Sequence, residues 1–217
     1  MRTVVYTAIT GSKDQLKSPE MLDKGFDYLC FTDTPGAFKS GTCWQILPIL
    51  KEPDPVRQAR KIKILAHKYV GGYDRSVWID GTIRPRRPLK ELLDRYVPPN
   101  KFAVWAHYQR DCLYTEVRAC ISLRKDNQAT MQKQVEQYRG EGYPKRFGMV
   151  RSGVLIRMHN DPDVMGAMEF WWHQVLTASR RDQLSFNYMT WKKGFKYMLL
   201  KDQGLYNRYF RGHKHSR

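Results

Sequence analysis

Short runs of β-branched and aromatic residues alternate with longer stretches of helical periodicity along almost the whole chain, and this alternation restricts the fold more than any other feature. The runs at 3–9, 28–32, 76–79, 102–106 and 154–157 read as short buried strands, several closed by polar residues or glycine. Between them lie helical patterns at about 55–70, 88–96, 110–124, 128–139, 161–177 and 180–192. Such alternation predicts an α/β fold, a Rossmann-like arrangement with a mostly parallel central sheet flanked by helices.

At 217 residues the chain is long enough to bury a full core in one domain. With 41% hydrophobic and 13% aromatic residues it lies far from the composition of disordered chains. Its charge is lopsided, because 38 Lys and Arg face 21 Asp and Glu for a net charge of +17. That excess calls for a polyanionic partner, whether nucleic acid, an acidic glycan or a membrane surface. From Lys192 onward, eight Lys or Arg against the single Asp202 leave +7, so a domain at 1–191 followed by a basic segment at 192–217 is expected. Cys30, Cys43, Cys112 and Cys120 show neither a CxxC pair nor zinc-ligand spacing and read as reduced, buried thiols. No apolar stretch approaches the ~18 residues of a membrane span, and the opening run is too short for a signal sequence. No membrane insertion and a cytoplasmic location are therefore expected.

In such sheets ligands bind at the carboxyl ends of strands, so acids just past a strand are the first candidates. YLCFTD places Asp33 there, and SVWIDGTI places Asp80 there. Asp33, followed by Thr34 and Pro35, has the alternative reading of a turn residue. Asp80 precedes Gly81, which allows close approach of a ligand, although Asp-Gly between apolar runs is equally a hairpin signal. Within 55–70, Ala59, Ile62, Ala66 and Tyr69 share one helical face, with Arg60, Lys63 and His67 on a basic face beside it. No acid follows Asp54 in that stretch, so a bound polyphosphate competes with plain solvation as the counter-charge. SRRDQLSF, residues 179–186, reads as a helix start with Ser179 as N-cap and Asp182 as its capping-box partner. Arg180 and Arg181 then fall in the first turn, where the helix dipole disfavours cations unless an anion lies in front of them. Trp171 and Trp172 read as helix packing.

YTAITGSKD, YLCFTD, the ARKIK helix, SVWIDGTI, HYQRDCLYTE and SRRDQLSF occur in this order. Together they resemble the glycosyltransferase-like family of the TOD1/MUCI70 type, from about residue 3 to residue 191. The resemblance implies a minimal, single GT-A-like domain that binds a nucleotide sugar, expected to be a UDP-sugar, at the carboxyl edge of its sheet. It implies that Thr7, Ala8, Ile9 and Gly11 line the nucleotide pocket, that Asp33 meets the base or ribose, and that Arg60 and Lys63 approach the diphosphate. Asp80 takes the place of the metal-binding acid of the DxD motif, for a divalent ion, Mn or Mg, that bridges phosphate oxygens. The sequence reads Asp80, Gly81, Thr82 there, with one carboxylate, so a second ligand is expected from Asp33, His213 or His215.

Arg180 and Arg181 at a helix N-terminus suit a diphosphate whose charge grows as the glycosidic bond breaks. Asp182 is then either a capping acid or the base that takes the acceptor proton, with Gln183 a donor to sugar hydroxyls. His107 and Arg110, at a strand-to-helix junction, read as acceptor-binding, with Asp111 and Tyr114 structural. For the acceptor, the net charge favours double-stranded DNA gripped by Arg84, Arg86, Arg87, Lys90 and the basic tail. A hydroxymethyl-pyrimidine of a modified viral genome, flipped from the stack, supplies the hydroxyl. A glycan or surface-polysaccharide acceptor, and a non-catalytic nucleic-acid binder, are the alternatives.

Overall fold

The computed structural model describes residues 1–38, 41–97 and 99–213. Its strands are β1 (Thr3–Ile9), β2 (Phe26–Thr32), β3 (Gln45–Pro48), β4 (Arg75–Ile79), β5 (Ile83–Pro85), β6 (Phe102–Ala106), β7 (Val150–Arg157), β8 (Met198–Leu200) and β9 (Phe210–Gly212). Its helices are α1 (Pro55–Ile64), α2 (Ala66–Tyr69), α3 (Lys90–Tyr96), α4 (Leu113–Ser122), α5 (Gln128–Gly140), α6 (Pro162–Thr177), α7 (Gln183–Lys193) and α8 (Gln203–Tyr209).

All seven residues of β1 are buried, as a strand covered on both faces requires. Its side chains divide by the two-residue period of a strand: Val4, Tyr6 and Ala8 enter a core built with α1, α6 and α7, while Val5 and Ile9 enter a second core with α3 and α8. A third apolar cluster joins α4, α5 and α7. The sheet has seven strands in the order β3-β2-β1-β4-β7-β6-β8. β3, β2, β1 and β4 run parallel, β7 is antiparallel to both β4 and β6, and β8 is parallel to β6. The expected α/β architecture with a mostly parallel sheet is present. One reversed strand, β7, brings its first residues to the same edge as the last residues of β1, β4 and β6.

The stretch after residue 191 is built into this fold: β8 extends the main sheet beside β6, and β9 pairs with β5. Residues 214–217, which include His215 and the end of the basic tail, lie outside the described residues. Among the described residues no helix is long and apolar enough to cross a membrane.

The single helix expected over 55–70 is broken at Leu65, which has ψ 49°. The cause is a fully buried arginine. Arg157, at the end of β7, donates to the carbonyls of Lys63 and Ile64 and to the hydroxyl of Tyr6, which in turn donates to the Lys63 carbonyl at 3.0 Å. Carbonyls turned toward that guanidinium are lost to the helix, and a cation at a helix C-terminus is favoured by the dipole. At the other end Asp54 caps α1 through Val56 N and Arg57 N, with Pro55 in the first turn. Fixed at both ends, α1 presents Arg60 and Lys63 to the sheet edge.

Just beyond β7, buried His159 donates from Nε2 to the Val70 carbonyl at 2.9 Å. Burial, with the nearby charge of Arg157, pushes its pKa down to about 4. A base whose folded pKa lies below its unfolded value stays neutral in the fold while the unfolded chain takes up a proton. Stability is therefore expected to fall as pH drops from about 6.5 to about 4, by on the order of 3 kcal/mol from this group. Urea titrations across that range should show the slope, and His159→Gln, which keeps a donor without titrating, should flatten it.

Candidate active site

Four charged side chains meet beneath the carboxyl edge of β1 and β4. Lys63, fully buried, places Nζ 2.6 Å from Asp182 Oδ2, 3.2 Å from Asp80 Oδ1 and 3.2 Å from Ser152 Oγ. Arg60, one turn earlier on α1, lies 3.1 Å from Asp182 Oδ1 through Nε, an ion pair without hydrogen-bond alignment, and 3.4 Å from Asp80 Oδ1 through Nη1. Ser152 Oγ donates to Asp182 Oδ2 at 2.9 Å, and Trp78 Nε1 donates to Asp80 Oδ1 at 2.8 Å. Burial alone raises the Asp182 carboxyl, but Arg60, Lys63 and Arg181 outweigh it and hold the group far below the usual carboxylate range. Burial pushes the Lys63 ammonium down, against the pull of Asp182 and Asp80.

Above this cluster opens a crevice of about 870 Å³ at the sheet's carboxyl edge. Ala8, Ile9, Thr10, Ser12 and Lys13 line the β1 end, His107, Tyr108 and Arg151 line the end where β6 and β7 pair, and Asp80, Arg60, Arg180, Arg181, Asp182, Gln183 and His213 line it as well. Among the described residues, six Lys or Arg line it (Lys13, Arg60, Lys125, Arg151, Arg180, Arg181) against Asp14, Asp80 and Asp182. Two of those acids are already committed to Arg60 and Lys63, so the lining carries an uncompensated positive charge.

Asp80 combines two expected features. Its carbonyl accepts from Ile83 N at 2.8 Å, which closes a turn, and its carboxylate faces the crevice. The turn is no hairpin, because β5 pairs with β9 rather than with β4. Oδ1 takes the three donors named above, whereas Oδ2 takes none of them. His213, whose N donates to the Thr82 carbonyl, has its buried Nε2 without a partner in the same crevice. Asp80 Oδ2 and His213 Nε2, both on the crevice, are the atoms that would hold a divalent ion arriving with a diphosphate, since Mg²⁺ is commonly held by one or two protein ligands plus substrate phosphates. They do not make a resident metal site: among the described residues no three His, Cys, Asp or Glu group as ligands.

Several expectations need correction. Lys63 does not reach the crevice, because its ammonium is enclosed by Asp182, Asp80 and Ser152; the counter-charge sought for α1 is the protein's own. Asp182 is not the capping partner of Ser179. Helix α7 begins at Gln183, and the Asp182 side chain makes no cap bond. A base role fits it poorly, since its side chain is 2% exposed, both oxygens are engaged and its pKa is depressed.

Arg180 and Arg181 lie in the approach to α7 rather than in its first turn, and Arg180 already faces Asp126 at 3.3 Å and Asp54 at 3.5 Å. Ser179 Oγ donates to Asp126 at 2.6 Å, and Arg180 N donates to the same carboxylate at 2.9 Å, which fixes this segment. Gln183 Nε2 donates to the Val150 carbonyl.

Thr7 is buried within β1 and is not in the crevice lining. Gly11, at φ +61°, packs on Pro55 where a Cβ would come to 2.9 Å. Both oxygens of Asp33 accept from Gly11 N at 3.0 Å, so Asp33 secures the loop after β1 and is not in the lining.

Arg110 is committed to Glu116 and is likewise outside the lining. Arg84 donates to the Ser18 carbonyl and Arg86 to the Asn207 carbonyl, and both approach Glu20 at 3.7 Å. Arg87 lines a separate cleft with Lys90, Asp94 and Tyr209. None of these three arginines lines the crevice. The Trp171 reading holds, as its ring is buried and Nε1 donates to the Asp182 carbonyl.

Tyr108, Arg151 and Ser152 carry no signal of their own in the sequence. β7 was legible only from residue 154, and its earlier residues reach the crevice because the strand is reversed. Lys13 and Asp14 did carry a signal, standing directly after the first strand.

The family described as TOD1/MUCI70, glycosyltransferase-like domain, matches residues 1–204. A probable hexosyltransferase MUCI70 from Arabidopsis thaliana is 24% identical over 211 residues, covering 85% of this chain. The chain spans 36% of that relative's length. The crystal structure of mouse xyloside xylosyltransferase 1 in its apo form covers 92% of this chain and 84% of its own, with a TM-score of 0.47 and 11% identity.

Proposed function

This chain belongs to the TOD1/MUCI70 glycosyltransferase-like domain family, and on that premise we propose that it moves a sugar from a nucleotide-diphosphate donor, a UDP-sugar, to an acceptor hydroxyl. The observation that carries this reading is the positively charged crevice at the carboxyl edge of β1 and β4, with Asp80 in its lining. The nucleotide lies along Ala8, Ile9 and Thr10, where the backbone leaves β1. Arg60, Arg180 and Arg181 take the diphosphate, whose negative charge grows as the glycosidic bond breaks, so that their contacts strengthen toward the transition state. Asp80 orients Arg60, and with His213 it would hold a divalent ion carried in by the donor. Such an ion, when bound, neutralises the leaving diphosphate.

Asp182 serves by position. It holds Arg60 and Lys63 in place from beneath, and Gln183 and His107 supply donors to the bound sugar or acceptor. His107 Nδ1 accepts from Gln109 N and Arg110 N, and Arg110 Nη2 lies 3.5 Å from its Nε2. Burial, opposed by Glu116 and helped by the charges of Arg110 and Arg151, pushes its pKa down and favours the neutral ring.

The hydroxymethyl-pyrimidine acceptor in DNA draws support from the +17 charge but not from Arg84 and Arg86, which are held by Glu20 and backbone carbonyls. Incubation with a panel of nucleotide sugars, with glycan acceptors in one set and hydroxymethylated DNA in another, separates the two by product mass. Nucleoside diphosphate release from at least one donor is the expected result; release from none contradicts the transferase reading.

A further inference from the structure

We propose that the end of the crevice away from β1 is the acceptor subsite and that it takes a carbohydrate bearing a carboxylate, gripped by Arg151 and laid on the ring of Tyr108. This rests on the transferase reading and names the acceptor class for the same site. The crevice is asymmetric, for its far end is formed where β6 and β7 pair, Trp105 opposite Arg151 and Ala106 opposite Val150. Directly after β6 come His107 and Tyr108, and both line the crevice.

Tyr108 is a large aromatic left 60% exposed. Its ring is held flat, stacked on His107 at 5.3 Å and 7°. A flat, water-facing π surface backed by a second ring is a platform for the polarised C–H face of a sugar, because the face of an aromatic ring is its negative side.

Arg151 supplies the charge preference. Its guanidinium lies 3.8 Å over the ring of Tyr206 and 5.8 Å from that of Tyr108. Arg60, Arg110 and Arg180 each have a carboxylate partner, whereas no described carboxylate pairs with Arg151. Stacking uses the face of the guanidinium and leaves its N–H edge open, a shape that matches a carboxylate in two parallel hydrogen bonds. His107 backs the Tyr108 ring, with its Nε2 3.5 Å from Arg110 Nη2. The Arg151 edge takes the carboxylate while the Tyr108 face takes the sugar ring, and a platform one ring wide suits a single sugar residue. Duplex DNA lacks this match: of the arginines expected to grip its backbone, Arg84 and Arg86 lie against Glu20 and Arg87 lines a separate cleft.

The test is calorimetric titration of the full chain, saturated with UDP, by uronic-acid tetrasaccharides of differing linkage. Each is paired with its carboxyl-reduced counterpart, and a hydroxymethylcytosine duplex forms a third arm. At least one acidic tetrasaccharide should bind about tenfold or more tightly than its reduced form, the usual effect of one charge-assisted contact. Arg151→Gln should erase that preference, and Tyr108→Ala should weaken both forms, with UDP affinity within about twofold of wild type. Equal affinity for every acidic and reduced pair, or a preference that survives Arg151→Gln, overturns the proposal. So does a duplex that outcompetes the sugars and depends on the same two residues. The UDP titration run beforehand keeps the two readings apart: no UDP uptake contradicts the donor site itself, whereas UDP uptake without an acidic preference contradicts only the acceptor class.

Discussion

Asp182→Asn is expected to lower the stability of the protein by about 3–5 kcal/mol, because it leaves the buried Lys63 and Arg60 without their closest anion. For a chain of this size that corresponds to roughly 6–20 °C in melting temperature. An acid that merely capped a helix would lose well under ~1 kcal/mol by the same change. Thermal denaturation therefore separates the buried cluster from a capping box. The sign with pH follows from the depressed pKa. The stabilisation by Asp182 is complete above the unfolded carboxyl value of about 3.9 and is lost only as pH falls through the lower folded value. Removing the cation as well should return part of the loss. Asp182→Asn combined with Lys63→Met is expected to cost about 1–3 kcal/mol less than the two changes added together.

The second large effect is on turnover. Asp80→Asn keeps an acceptor for Trp78 Nε1 and Lys63 Nζ, so the fold should persist. It removes the negative charge that orients Arg60 and faces the crevice, and transfer is expected to fall by about 10²–10³-fold, the range seen when one preorganised electrostatic contact at a reacting centre is lost. The check is initial-rate kinetics on the best donor beside a melting curve. Near-normal turnover in a folded Asp80→Asn protein would remove Asp80 from the chemistry.

Which parts of this could be read from the chain follows from how local each signal is. β1 and β6 match the sequence reading to the residue, since each is an apolar run bounded by polar groups and buried on both faces. The strands β3, β5, β8 and β9 are three or four residues long, and the last three owe their existence to partners far away, β5 to β9 across more than a hundred residues. No period can form in so few residues. The break at Leu65 was equally hidden, because its cause, Arg157, arrives from another strand.

The site divides the same way. Asp80 and the residues after β1 stand at strand ends, a position that the sequence marks. The employment of Lys63 depends on Asp182, and that of Arg84 on Glu20, pairings between distant positions that helical and strand periods do not record. The arginines of SRRDQLSF were legible as unusual. The reason proved to be tertiary: Asp126, from the loop between α4 and α5, fixes Ser179 and Arg180 so that the segment lines the crevice.

The central claim is that this crevice holds a nucleoside diphosphate by its arginines, and titration with UDP, with Mg²⁺ present, tests it most directly. Wild type is expected to bind, and Arg181→Ala, whose guanidinium lines the crevice and has Gln183 as a neutral partner at 3.1 Å, should weaken binding by about 10–150-fold while leaving the fold intact. No heat of binding for wild type, or an Arg181→Ala protein that binds UDP as well as wild type, would contradict the account.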